Sequence, residues 1–537
     1  MRAKLLCAVV LLLGVLAASA ASPNRPNIVI ILTDDLGYAD LGCYGSEIAT
    51  PNIDRLAAQG VRFAQFYNTA RCCPTRASLL TGLYSHQAGV GHMTRDDGKP
   101  GYRGFLSERC ATIAELLRAQ GYATFMSGKW HLGMQRPHWP VDHGFDRSYA
   151  FLSGACNYFR PEPHRRMAID DQPYVPPKEN FYMTDAISDH AVEFVARAAA
   201  GKKPFFLYVA YTAPHAPLHA LPEDIAKYRG KYRVGWDEVR RRRHQRQLEL
   251  GVLDKHWPLS PRDPGATAWD ALSDKEKDLA DLKMAVYAAQ NDRMDQGIGR
   301  ILNQLEQAGM TTNTLVIFLS DNGGDAEEIG NSKPGALPGS PDSDVGYGLA
   351  WANVSNVPFR GFKRGVFEGG IATPLIARWP ARIKSGNRIT RESGHVIDLM
   401  PTCLAVTGAS YPKTFNQHEL IPLEGRSLLP AFEGRKTRNR DALFWEHEGN
   451  RAVRQGKWKL VAPHRADWTL YDIAADGTEL NNLAARQPEK LSELLKLYEQ
   501  WAAHCNVEHW EVIERSRQTV QVLPRPPLSR RPLDTRP

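Results

Sequence analysis

The sequence predicts an α/β fold: a large mixed, mostly parallel sheet flanked by helices, followed by a smaller C-terminal α+β domain. Three observations lead there. Short apolar runs rich in β-branched or aromatic residues alternate with helical patterns. Several of those runs stop abruptly in polar residues, as strands do when they deliver side chains to a crevice. Past Pro430 the pattern changes to short alternating strands and one helix. With 537 residues, 43% of them hydrophobic and 23% charged, the chain can bury a large core and exceeds one typical domain. The expected organisation is a leader over 1–20, a main domain over 21–430 with a basic insertion at 218–270, a small α+β domain over 431–512 and a disordered basic, Pro-rich tail over 513–537.

The leader begins Met1, Arg2, Ala3, Lys4, runs apolar from Leu5 to Leu16 and ends in Ala17, Ala18, Ser19, Ala20. This is the pattern of a secretory signal peptide. It falls short of the roughly 20 apolar residues that a membrane span needs. The mature chain is therefore expected to be secreted or periplasmic, without a stable membrane anchor. Cys7 leaves with the leader, and the remaining seven cysteines are too sparse for a disulfide scaffold; their odd number leaves room for one with a separate task. The net charge of +8 owes much to Arg240–Arg243 with Arg246 and to the arginine-rich tail, read as a solvated loop and a disordered end. Nothing resembles a nucleic-acid-binding module.

Taken in order, Asn27–Thr33 reads as a buried strand that stops at Asp34 and Asp35. Asp54–Gln59 and Thr112–Gln120 read as amphipathic helices closed by Gly60 and Gly121. Ala123–Met126 leads into S-G-K-W-H-L-G, with Lys129 and His131, and Pro204–Tyr211 leads into T-A-P-H-A-P, with His215. Leu218 to Asp270 lacks periodicity and is long for a loop, a place where substrate access is often shaped. Leu315–Ser320 stops at Asp321 and Asn322. Strands at Ala442–Glu446, Arg451–Val461 and W-T-L-Y-D, with a helix from Pro488 to His504, compose the small domain. If all four strand ends face one crevice, three carboxylates and one amide form a hard-oxygen set suited to calcium or magnesium, whereas zinc prefers His and Cys.

The most specific stretch is Arg71-Cys72-Cys73-Pro74-Thr75-Arg76-Ala77-Ser78-Leu79-Leu80-Thr81-Gly82, whose core is C-x-P-x-R followed by L-T-G. With the D-D, G-K-W-H-L-G, A-P-H-A-P and S-D-N-G segments and Gly361–Gly370 (G-F-K-R-G-V-F-E-G-G), it resembles the formylglycine-dependent sulfatases of the alkaline-phosphatase-like superfamily, and the bacterial arylsulfatases in particular. Cys73 stands where Ser or Thr is more usual, but only Cys72 has Pro and Arg at the required offsets.

The resemblance implies a mechanism. A formylglycine-generating or sulfatase-maturing enzyme oxidises Cys72 to an aldehyde, which hydrates to a geminal diol. One hydroxyl attacks the sulfur of a sulfate ester as the alcohol leaves, and the second then loses its proton, regenerates the aldehyde and expels sulfate. Calcium is held by Asp34, Asp35, Asp321 and Asn322 with an oxygen of residue 72. Arg76 holds the diol or a ligand carboxylate; Lys129 and Lys363 clamp sulfate oxygens. His215 is the general acid for the leaving alcohol, His131 the partner of the diol, and Ser153 a further sulfate or hydrate contact. Two other readings stand beside this one: a formylglycine-dependent phosphonate or phosphate ester hydrolase, and a non-catalytic protein that binds sulfated polymers through its arginine-rich insertion and tail. A phenol, a sugar or a polysaccharide would present the same sulfate to the same core.

Overall fold

The computed structural model describes residues 25–522, apart from 385, 438 and 439; the leader and the end of the tail lie outside them. A ten-stranded sheet organises the large domain. Asn27–Thr33 runs through its middle, parallel to Phe205–Ala210 on one side and to Thr314–Ser320 on the other. Ala123–Lys129 and Arg147–Phe151 continue the parallel array, and Met167–Ile169 and Gln172–Tyr174 close that edge antiparallel. On the other flank Leu375–Arg378 runs antiparallel to Thr314–Ser320 and to Val61–Phe63, which pairs parallel with Arg388–Thr390.

The central strands are continuous apolar runs because helices cover both faces. Val29 and Ile31 pack in one buried cluster with Ile187 and Phe194 of helix Met183–Gly201 and Ile298 of helix Asp274–Gln307. Ile28, Ile30 and Leu32 pack on the opposite face with Leu79 and Leu80 of helix Cys72–Thr81. The expected helices appear as Pro51–Ala58 and Ile113–Ala119; the second is fixed by a capping box between Thr112 and Glu115.

Three expectations need correction. The 218–270 insertion is not an irregular loop: it contains the helix Trp236–Leu250. Its arginines divide by face. Arg241 and Arg242 reach back to Glu238 on the exposed side, whereas Arg243 is buried and donates to Asp40 Oδ1 (2.6 Å) and to both oxygens of Glu47 (2.9 and 2.8 Å). The stretch Arg451–Val461 is two strands, Asn450–Gln455 and Trp458–Ala462, folded at Gly456, whose φ of 58° suits the first position of a two-residue hairpin loop. With Leu443–His447 and Thr469–Asp472 they form a four-stranded antiparallel sheet, on which helix Pro488–His504 packs. Finally, the chain past Ile513 is helical as far as Val522, because Ile513 and Trp510 bury against Tyr102.

Candidate active site

Four strand ends and one helix start converge at the carboxyl edge of the sheet. Asn27–Thr33 delivers Asp34 and Asp35; Thr314–Ser320, in register with it so that Thr33 lies opposite Ser320, delivers Asp321 and Asn322 at the same level. Lys129 is the last residue of its strand, two residues before His131, and His215 follows the strand Phe205–Ala210. Cys72 opens helix Cys72–Thr81, with Arg71 extended before it. The site edge includes three non-glycine residues with φ near 60°, Asp35, Ala70 and His131, a conformation that costs about 1–3 kcal/mol and is held only by the packing around it.

Arg76, one turn into the helix, is fully buried. Its Nη2 donates to Asp321 Oδ2 (2.7 Å) and its Nη1 to the carbonyl of Lys129 (2.7 Å), which ties the helix to two strand ends. Lys129 Nζ donates to Asp34 Oδ2. Lys363 Nζ donates to Asp35 Oδ2 (2.8 Å) and Asp325 Oδ2 (2.9 Å) and lies 3.2 Å from His215 Nε2. Asn322 Nδ2 donates to Asp35 Oδ1 (2.6 Å). Asp325 was missed in the sequence, although it closes the same S-D-N-G-G-D segment.

The charges of the pocket follow from burial and proximity. Burial alone would raise Asp34, but Lys129, then His215 and Arg76, bring it below its usual value. Burial and the charge of Asp34 push Asp321 well up. Both lysines stay protonated, since their carboxylate partners outweigh desolvation. The Cys72 thiol is drawn well below its ordinary value by a hydrogen bond from Cys73 and by Lys129 and His131, at a helix N-terminus that itself favours negative charge. Burial lowers His131 to about 4, so its ring is neutral and able to accept a proton at neutral pH.

Asp34 Oδ1 and Asn322 Oδ1 are buried without a hydrogen-bond partner. Each such group costs about 1–3 kcal/mol. A hard cation satisfies both, and the surrounding set of carboxylate and amide oxygens fits one. Ser153 Oγ accepts the Arg166 N–H (3.1 Å) and lies 3.7 Å from Met134 Sδ. All seven cysteines among the described residues are free and buried.

Sheet and pocket bring the start of helix Cys72–Thr81, buried cations and a carboxylate cluster together at one edge. Residues 26–409 match the Sulfatase family model, and residues 360–503 match the model for the C-terminal part of N-sulphoglucosamine sulphohydrolase. An uncharacterized sulfatase of Schizosaccharomyces pombe is 36% identical, over 91% of this chain and 95% of its own. The arylsulfatase of Klebsiella aerogenes is 34% identical, over 82% and 99%. The crystal structure of Ps i-CgsB in complex with k-i-k-neocarrahexaose superposes with a TM-score of 0.69 at 28% identity, covering 93% of this chain and 98% of that one. The chain belongs to the sulfatase family and is a sulfuric ester hydrolase.

Proposed function

We propose that the protein hydrolyses sulfate monoesters through a formylglycine made from Cys72, with a calcium ion held by Asp34, Asp35, Asp321, Asn322 and an oxygen of residue 72. The observation that carries this reading is the placement of Cys72: the C-x-P-x-R cysteine begins a buried helix with His131, Lys129 and the carboxylate cluster around it. The Cys72 thiol stands in for the hydrated aldehyde. That hydrate supplies a nucleophile that can later expel sulfate without attack of water at sulfur; a calcium ion held by these residues would supply Lewis acidity toward the sulfate and the attacking hydroxyl.

The remaining work falls to side chains. Lys129 and Lys363, both buried cations, bind sulfate oxygens and stabilise charge moving toward the leaving oxygen. His131, neutral in its buried position, takes a proton from residue 72. His215, beside Lys363 and Asp35, gives one to the departing alcohol; each such transfer contributes about 10²- to 10⁴-fold. Arg76 fixes Asp321 and the Lys129 backbone so that these groups keep their relative positions. The leader and the need for an oxidised Cys72 support export and an encounter with a formylglycine-generating enzyme. No helix among the described residues is long and apolar enough to cross a membrane.

The test is turnover of a chromogenic aryl sulfate by protein co-expressed with a formylglycine-forming system. The parent is expected to turn over and Cys72→Ala to fall to background; equal activity of the two would sink the mechanism. Chelation is expected to reduce the parent's rate at least tenfold, with recovery on adding Ca²⁺ but not Zn²⁺.

A further inference from the structure

At the far end of the helix that Cys72 opens, three side chains with metal-ligand chemistry meet where the two domains touch. Helix Pro488–His504 of the small domain ends in His504 and is followed at once by Cys505, which is free and fully buried. Opposite them stands Glu424 of the large domain. Its backbone N–H donates to the carbonyl of Gly82 (3.2 Å), the residue that closes helix Cys72–Thr81. His504 Nε2 lies 3.1 Å from Glu424 Oε1. One ring nitrogen of His504, one carboxylate oxygen of Glu424 and Cys505 Sγ all lie within 4.8 Å of one another.

The carboxylate is held in place from the large domain. Gln87 Oε1 accepts the Tyr84 N–H (3.1 Å), which fixes the amide so that its Nε2 donates to Glu424 Oε1 (2.7 Å); the same Nε2 lies 3.3 Å from His504 Nε2. A carboxylate only accepts, so what joins it to an imidazole nitrogen is a cation, either a proton on that nitrogen or a metal ion. A proton serves the Glu424–His504 pair and gives Cys505 no part; a metal ion uses all three groups. The site also sits at the end of a 17-residue helix, whose last carbonyls favour positive charge. Thiolate and imidazole nitrogen suit zinc, whereas calcium takes oxygen. The His504 side chain is 65% exposed, so an ion can enter from solvent and keep a water as its fourth ligand.

We propose that Glu424, His504 and Cys505 bind a zinc ion that clamps the small domain's helix to the segment capping helix Cys72–Thr81. A bond forms between zinc and Cys505 Sγ as the thiol proton leaves to solvent, and the thiolate and the Glu424 carboxylate together balance the two charges of the ion. Burial and the charge of Glu424 raise the Cys505 thiol, so coordination is what deprotonates it, and binding strengthens as pH rises. This zinc is separate from the calcium position at Asp34, Asp35, Asp321 and Asn322 and takes no part in hydrolysis.

The experiment titrates Co²⁺ into the reduced, metal-stripped full chain in saturating Ca²⁺ and reads the thiolate-to-cobalt charge-transfer absorbance. Co²⁺ takes the same ligands as Zn²⁺ and, unlike it, absorbs when bound to sulfur. The parent is expected to develop the band on equimolar addition and to lose it when Zn²⁺ displaces the cobalt. His504→Ala, at an exposed position, and Cys505→Ser are each expected to reduce the band at least tenfold. Cys72→Ala is expected to keep it, which separates this sulfur from the one in the sulfate pocket. Zn²⁺ is also expected to raise the Tm of the parent and to leave that of His504→Ala unchanged. A parent without the band, an undiminished band in His504→Ala, or loss of the band in Cys72→Ala overturns the zinc site; the first result assigns the Glu424–His504 link to a proton.

Discussion

Arg76 forks between Asp321 and the Lys129 carbonyl with its side chain fully buried, while Asp34 lies 3.6 Å away. A lysine there keeps the charge and loses the fork. Arg76→Lys is therefore expected to cut kcat at least a hundredfold and to lower unfolding stability by about 3 kcal/mol, the scale for leaving buried charges badly paired, read from urea titrations. Much of this pocket was legible in the sequence because its carboxylates and amide sit immediately after strands: the continuous apolar runs end at Thr33 and Ser320, and Asp34, Asp35, Asp321 and Asn322 follow. Asp325 was not legible, because it serves a lysine from another segment.

At the scale of elements, helix Trp236–Leu250 shows why composition misled. Arginine occupies both its buried and its exposed face, so no apolar stripe marks the inner side; burial is sustained by the pairing of Arg243 with Asp40 and Glu47. Arg243→Met is expected to destabilise the protein by about 3–5 kcal/mol, because it leaves Asp40 buried without its cation; equilibrium denaturation measures it. The hairpin at Gly456 escaped notice for a different reason. A single glycine within a run of otherwise strand-forming residues marks either a bulge or a turn, and cross-strand pairing decides between them. The long helix Asp274–Gln307 has glycine at 297 and 299, where a side chain would collide with Ser188 or Asn52 of the neighbouring packing.

At the scale of the whole molecule, the two domains meet around a buried lysine. Lys459 of the small sheet donates to Glu368 (2.8 Å), next to the Lys363 loop, and lies 2.7 Å from Glu479. Glu368 in turn accepts from Tyr67 (2.9 Å). Burial, opposed by Lys459, pushes Glu479 up to about 7. A carboxyl raised above its unfolded value is better protonated in the folded state, so its contribution is present at low pH and is lost as pH rises through about 7. Unfolding stability is expected to decline by up to about 3 kcal/mol between pH 5 and 8 from this group. Glu479→Gln should flatten that decline; an unchanged slope in the variant would remove Glu479 as its source.

The order of strands in the large sheet carries a consequence for how the chain is made. Asn27–Thr33, the first strand of the described residues, pairs with Thr314–Ser320, and the contact between Asn27 and Thr314 spans 287 residues. Contacts of such sequence separation form late. During synthesis the first strand must wait with one edge unpaired, and the Cys72 helix has no Asp321 to receive Arg76. Cys72 is 2% exposed once folded, so an enzyme that converts it to formylglycine, as proposed above, would have to act before the chain beyond Thr314 completes the sheet.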